Sequence, residues 1–153
     1  MKISPKLFES LLPHASKWAA EKEAEILERG VPLTEQELAD AAKIPVQSPE
    51  KVRLLKLDRV PTPKHLALKA AVKSTGLLGP GTSGLTLRYG IYIRSDCWGD
   101  RRLVIHELVH TAQYERLGSI EAFLRQYLHE CLTVGYHASP LEQEAVERAR
   151  ELG

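Results

Sequence analysis

From Asp100 onward the chain is punctuated as three consecutive helices, and this restricts its fold more than any other feature. Asp100 can cap a helix that Gly118 ends, Ser119 can cap a second, and Ser139-Pro140 starts a third. Ile120, Phe123, Leu124, Tyr127, Leu128, Cys131 and Leu132 form an apolar stripe on the second. Leu141, Ala145, Val146, Ala149 and Leu152 do the same on the third. Helices with one apolar face each need a shared surface to bury it.

The surface on offer is a small sheet. Leu85, Leu87, Tyr89, Ile91 and Ile93 alternate with Thr86, Arg88, Gly90 and Tyr92, the period of one half-buried strand. Before it, residues 74–84 carry four glycines and a proline and form a loop, either a plain surface loop or a lid. Val52, Leu54, Leu55 and Leu57 predict a shorter strand between Pro49 and Pro61, and Thr62-Pro63 opens a helix through Val72. Residues 1–48 read as helical scaffold. Ser4-Pro5 starts a long helix that Pro13 should split or kink and Gly30 stops, and Thr34-Glu35-Gln36-Glu37 is a capping box for a short helix through Ala42.

Length and charge narrow the class. The 153 residues suit a single domain, 1–153, with its helical N-terminal part at 1–48 and its core at 49–153. Twenty-one basic residues against twenty acidic ones leave a formal charge of +1, which disfavours bulk nucleic-acid or anionic-membrane binding. No apolar run has the length of a membrane span, and Lys6 and Glu9 interrupt any leader-like start. Two cysteines are too few for a disulfide scaffold, so the chain reads as cytoplasmic.

Chemistry concentrates in the first of the three late helices, at His106-Glu107-Leu108-Val109-His110. Residues four apart share a helical face, so both imidazoles can reach one metal ion. Glu107 projects beside that ion, where it can take a proton from water. In this composition H-E-x-x-H arises by chance with a probability of about 2%, so context has to carry it. Context is present: His106 and His110 fall in step with Leu103, Gln113, Tyr114 and Leu117, which face inward, and the motif follows a strand and a short loop.

The stretch L-T-L-R-Y-G-I-Y-I, the segment H-E-L-V-H-T-A-Q-Y and the later Glu142-Gln143-Glu144-Ala145-Val146 together resemble the gluzincin metallopeptidases. The resemblance covers residues 85–149 and implies a compact zincin-like α+β domain, mostly helical, with a small antiparallel sheet beside the motif helix. It also implies zinc, a peptide or protein substrate, and a glutamate on a later helix as third ligand. Where that family often has a supporting aspartate this chain has Val146, so support for the ligand histidines must come from elsewhere.

Periodicity bears on the third ligand independently. Glu142 lies within about 45° of the centre of the last helix's buried face, and Glu144 more than about 100° away. A carboxylate on the buried side needs a partner, and a metal is a good one. Closing the capping box Ser139-Pro140-Leu141-Glu142 is the rival role for Glu142, and Glu144 is the reserve ligand.

The expected activity is peptide-bond hydrolysis, with zinc on His106, His110 and Glu142 and with Glu107 as general base. The predicted strand can bind substrate by edge pairing. Tyr136 and His137 are candidates for stabilising an oxyanion. Gln113 and Tyr114 fit a supporting or core role, Cys131 a core role, and Cys97, His14, His65 and His129 have no ligand-spaced partners. Two other functions stay open: a zinc-binding protein without turnover, and a regulatory protease specific for one partner protein.

Overall fold

The computed structural model describes residues 3–153; Met1 and Lys2, the first two residues of the stretch read as no leader, lie outside them. The elements run α1 (Pro5–Arg29), β1 (Val31–Pro32), α2 (Glu35–Lys43), β2 (Arg53–Leu57), α3 (Leu66–Ser74), β3 (Gly84–Leu87), β4 (Gly90–Arg94), α4 (Arg101–Leu117), α5 (Ile120–Val134) and α6 (Pro140–Leu152). The fold is α+β.

Local sequence explains most helix ends. The side chains of Ser4, Asp100, Ser119 and Ser139 each accept the backbone N–H three residues on, and Thr34 and Glu37 complete a capping box on α2. Gly118 closes α4 in the left-handed region, at φ 99°. Two expectations are corrected. Pro13 does not split α1, because it lies on an exposed face where water can satisfy the carbonyl it leaves unpaired. Helix α3 starts at Leu66 rather than at Thr62-Pro63, since the cap is His65, whose Nδ1 accepts from the Leu68 N–H.

The predicted long strand is also corrected: it is a hairpin. Leu87 pairs with Gly90 and Leu85 with Tyr92 across a two-residue turn at Arg88-Tyr89. Arg88 sits at φ 61°, a strained position for a side chain of its size. Glu23 of α1 holds it there, accepting from Arg88 Nε and Nη2 at 2.9 and 2.8 Å and from the Tyr89 N–H at 3.0 Å. Thr111 of α4 donates to the Arg88 carbonyl at 2.7 Å.

Folding back reverses which residues share a face. Leu85 and Leu87 now lie with Tyr92 in one apolar layer, while Ile91 and Ile93 lie in the other. The sheet is therefore covered on both sides. Its order is β1-β2-β4-β3, with β2 parallel to β4, so it is mixed rather than wholly antiparallel. One layer joins α1, α3 and α5 to the sheet, and the other holds buried residues of α2, α4 and α6. Strand β3 is left at an edge, beside α4. No helix among the described residues is long and apolar enough to cross a membrane.

Candidate metal centre

Helix α4 places His106 and His110 one turn apart, with ring centroids 5.1 Å from each other. Helix α6 packs along α4, with Ala145 and Ala149 joining Ile105 and Leu108 in the buried layer. Its first turn is fixed by α5, because Glu130 accepts from the Ser139 hydroxyl at 2.6 Å and from the Leu141 N–H at 3.0 Å. This docking carries Glu142 to the two imidazoles.

Glu142 Oε1 lies 2.6 Å from His106 Nε2, and its Oε2 lies 3.1 Å from His110 Nε2. Each oxygen also accepts from a phenol, Oε1 from Tyr136 at 3.1 Å and Oε2 from Tyr127 at 2.8 Å. Only its backbone N–H serves the helix cap, so the side chain is free of the capping role considered for it. Glu144 points elsewhere, to Gln113 and Arg116.

Glu107 competes on position for the third place, since the ligand atoms of His106, Glu107 and His110 all lie within 4.8 Å of one another. Distance and engagement favour Glu142. Glu107 Oε2 is 3.9 Å from His106 Nε2, and Oε1 lies 2.9 Å from the Thr86 hydroxyl. The Glu107 side chain lies flat over Gly84, where a Cβ would stand 3.2 Å from Glu107 Cγ and Cδ. A side chain there would oblige Glu107 to shift by a few tenths of an ångström.

Support for His110 comes from its own helix. Gln113 is fully buried, and its Nε2 donates to the Leu141 carbonyl at 2.9 Å and to Glu144 Oε1 at 2.7 Å. With the amide nitrogen committed, its Oε1 must face His110 Nδ1, at 2.8 Å. The Nδ1–H therefore donates, and Nε2 is turned toward Glu142. Arg116 holds Glu144 in turn, at 2.9 Å.

Electrostatics agree with a shared cation or proton. Burial pushes the Glu142 pKa up, but the hydrogen bonds to His106 and His110 outweigh it and hold the group well below the usual carboxylate range. Burial likewise disfavours a charged His110, yet Glu142 and Glu107 together raise its pKa to about 9. Burial also lifts both tyrosines, with Glu142 adding to it, so each phenol keeps its proton and donates. Two imidazole Nε2 atoms turned on one carboxylate can share protons with it or hold a cation between them. A divalent metal that prefers N and O ligands fits this donor set.

The site opens into a cavity of about 680 Å³, which β3 and residues 76–79 and 81–83 of the Gly-rich loop also line. Tyr136 and His137 stand on its wall, and Cys97 lines it as well. Cys131 is buried in the core cited for it, and burial raises its thiol pKa to about 12. His14 and His65 pack ring on ring at 4.2 Å, and His129 meets Phe8 edge-on; none of these three reaches the site. Sequence reading missed Thr86 and Tyr127 as partners of the acidic groups, and had no local signal for either.

No family model, curated protein or solved structure matches the chain, so the gluzincin resemblance rests on the motif residues alone.

Proposed function

We propose that the protein is a zinc-dependent hydrolase of peptide bonds, similar in its site to the gluzincins. The observation that carries this reading is the meeting of His106 Nε2 and His110 Nε2 on the Glu142 carboxylate, with Glu107 alongside but not part of that contact. His106, His110 and Glu142 would hold the ion, the three-ligand set of catalytic zinc. Zinc, when bound, supplies Lewis acidity toward a carbonyl and toward water.

The remaining steps belong to the chain. Glu107 Oε2 accepts the proton of the attacking water and returns it to the leaving amine. Thr86 holds Oε1, so the carboxylate meets the water in one orientation. Strand β3 is an outer strand whose residues line the cavity, so a substrate segment can pair along it and be read by its backbone. Tyr136, which lines the same cavity and donates to Glu142 Oε1, is the phenol that would donate to a developing oxyanion.

Metal analysis and turnover test this together. Wild type should carry about one zinc per chain, and His110→Ala should lose most of it, because two ligands rarely hold zinc firmly. Glu107→Gln should keep the zinc and lose about 10²- to 10⁴-fold in cleavage of a proteome-derived peptide mixture. Full zinc with no cleavage of peptides or of co-encoded proteins would replace this reading with a non-catalytic zinc protein.

A further inference from the structure

Helices α4 and α6 run antiparallel, and this brings two arginines to one end of the cleft. Near the start of α6 the Leu141 carbonyl meets Gln113 of α4, whereas at its end a Cβ on Gly153 would stand 3.3 Å from Arg102 Cα. Arg102 lies about one turn before His106 on α4, and Arg150 about two turns beyond Glu142 on α6. Both are exposed, and both line the cavity that holds His106, Glu107, His110 and Glu142. The two guanidinium groups thus flank the metal centre on the same side.

Neither charge serves the fold. Arg101, the neighbour of Arg102, is bound to buried Asp40 at 2.9 Å, but Arg102 itself has no ion-pair partner among the described residues. Arg150 has only Glu147 of its own helix, 3.7 Å away, and an exposed pair of that kind contributes little. Arg102 also occupies the first turn of α4, which carries no acidic residue. The helix dipole opposes a cation there, so its charge destabilises the helix end it occupies. Asp100 lines the same end, with its side chain accepting the Leu103 N–H. A chain with 21 basic and 20 acidic residues has no general surplus that would leave two cations at this place.

We infer, resting on the hydrolase reading for what is cut, that Arg102 and Arg150 form an anion subsite that selects substrates with a carboxylate close to the scissile amide. Guanidinium groups match carboxylates in shape as well as charge, because two N–H donors can take the two oxygens together. Arg102 and His106 are about 6 Å apart along the helix axis, and an extended peptide advances about 3.3 Å per residue. The carboxylate therefore belongs within about two residues of the cut bond. An acidic side chain or a C-terminal carboxylate can supply it, two sources of one chemistry.

Binding can be read without turnover, by calorimetry on zinc-loaded Glu107→Gln protein. Two series of probes separate the sources. The first is an acetylated Ala-Ser hexapeptide amide with one Glu, or its neutral twin Gln, at each position in turn. The second is a set of short Ala-Ser peptides that end in a free carboxylate or in an amide. The charged member should bind about 10-fold or more tightly than its neutral twin, at one or two positions of the first series or throughout the second. Replacing both arginines, Arg102→Gln with Arg150→Gln, should remove that preference. Arg102→Glu alone should turn it toward a Lys-containing peptide, an independent check should the double variant fail to fold.

Equal binding of every charged and neutral pair would overturn the subsite. So would a preference that survives the double substitution, since the carboxylate would then be held by the zinc. The same peptides run with Glu107 intact keep the two ideas separate. Charge-dependent binding with no cleavage supports the subsite and removes the hydrolase reading, whereas cleavage indifferent to charge removes the subsite and leaves hydrolysis standing.

Discussion

The Thr86 hydroxyl lies 2.9 Å from Glu107 Oε1, which leaves Oε2 as the oxygen facing His106. The same hydroxyl is 2.9 Å from the Glu107 carbonyl, so its single proton divides between two acceptors. Strand β3 is itself pinned to α4 by the Tyr114 hydroxyl, which donates to the Thr86 carbonyl at 3.1 Å. The Glu107 carboxylate is therefore oriented by a strand, not by its own helix.

Thr86→Val keeps the shape of the side chain and removes the donor. Zinc content should stay at the wild-type level, while kcat on any peptide the wild type cleaves should fall by about 10- to 100-fold. Stability should drop by about 1–3 kcal/mol, since a buried carboxylate oxygen loses its partner. Thr86→Ser should restore most of both, and a Thr86→Val enzyme with unchanged kcat would show that Glu107 needs no orienting group.

Gln113 stands behind His110, the proposed ligand histidine, where a carboxylate could otherwise serve. Gln113→Leu leaves His110 Nδ1 without its acceptor, so zinc affinity should weaken by about 10- to 100-fold in a chelator competition. Glu144→Gln should cost less, because Gln113 Nε2 retains the Leu141 carbonyl. Equal losses from the two variants would mean that Glu144, rather than the His110 contact, dominates the support.

Much of this site is local and so was open to sequence reading. The caps at Asp100, Ser119 and Ser139 are side-chain contacts across three residues, and H-E-x-x-H with the buried-face position of Glu142 needs only helical period. The hairpin was not open to it. Its turn has no Asn-Gly or Asp-Gly, and the contacts that hold Arg88 at positive φ come from Glu23, 65 residues away. Gly90, directly after the turn, was the one available cue. Thr86 and Tyr127 likewise depend on contacts between distant elements, which periodicity does not encode.

Asp40 and Arg101 give a pH signature away from the site. Asp40 is buried on α2 and accepts from two guanidinium nitrogens of Arg101, at 3.0 and 2.9 Å, at the start of α4. Hydrogen bonding to Arg101 holds its carboxyl below the ordinary value, against the opposing effect of burial. A folded pKa below the unfolded value of about 4 makes the contribution full above that value, and it is lost as pH falls through the folded one. Urea unfolding of wild type and Asp40→Asn should therefore differ by a constant amount at neutral pH, with the gap closing below about pH 4. A gap that widened in acid would reverse the assignment.

Gly84 offers a way to displace Glu107, the proposed general base, without altering its chemistry. A Cβ there would stand 3.2 Å from Glu107 Cγ and Cδ and 3.3 Å from Oε2, closer than side chains ordinarily pack. Gly84 is not in the left-handed region, so alanine brings no backbone strain, and the strand gains a residue with less freedom to lose. Glu107 has to give instead, and Thr86 holds its other oxygen. Gly84→Ala should thus keep the fold and the zinc, with stability within about 1 kcal/mol of wild type, while kcat falls by about 10-fold or more. Zinc loss in this variant would place Glu107 among the ligands. Full activity would show that the carboxylate can shift by a few tenths of an ångström and still take the proton.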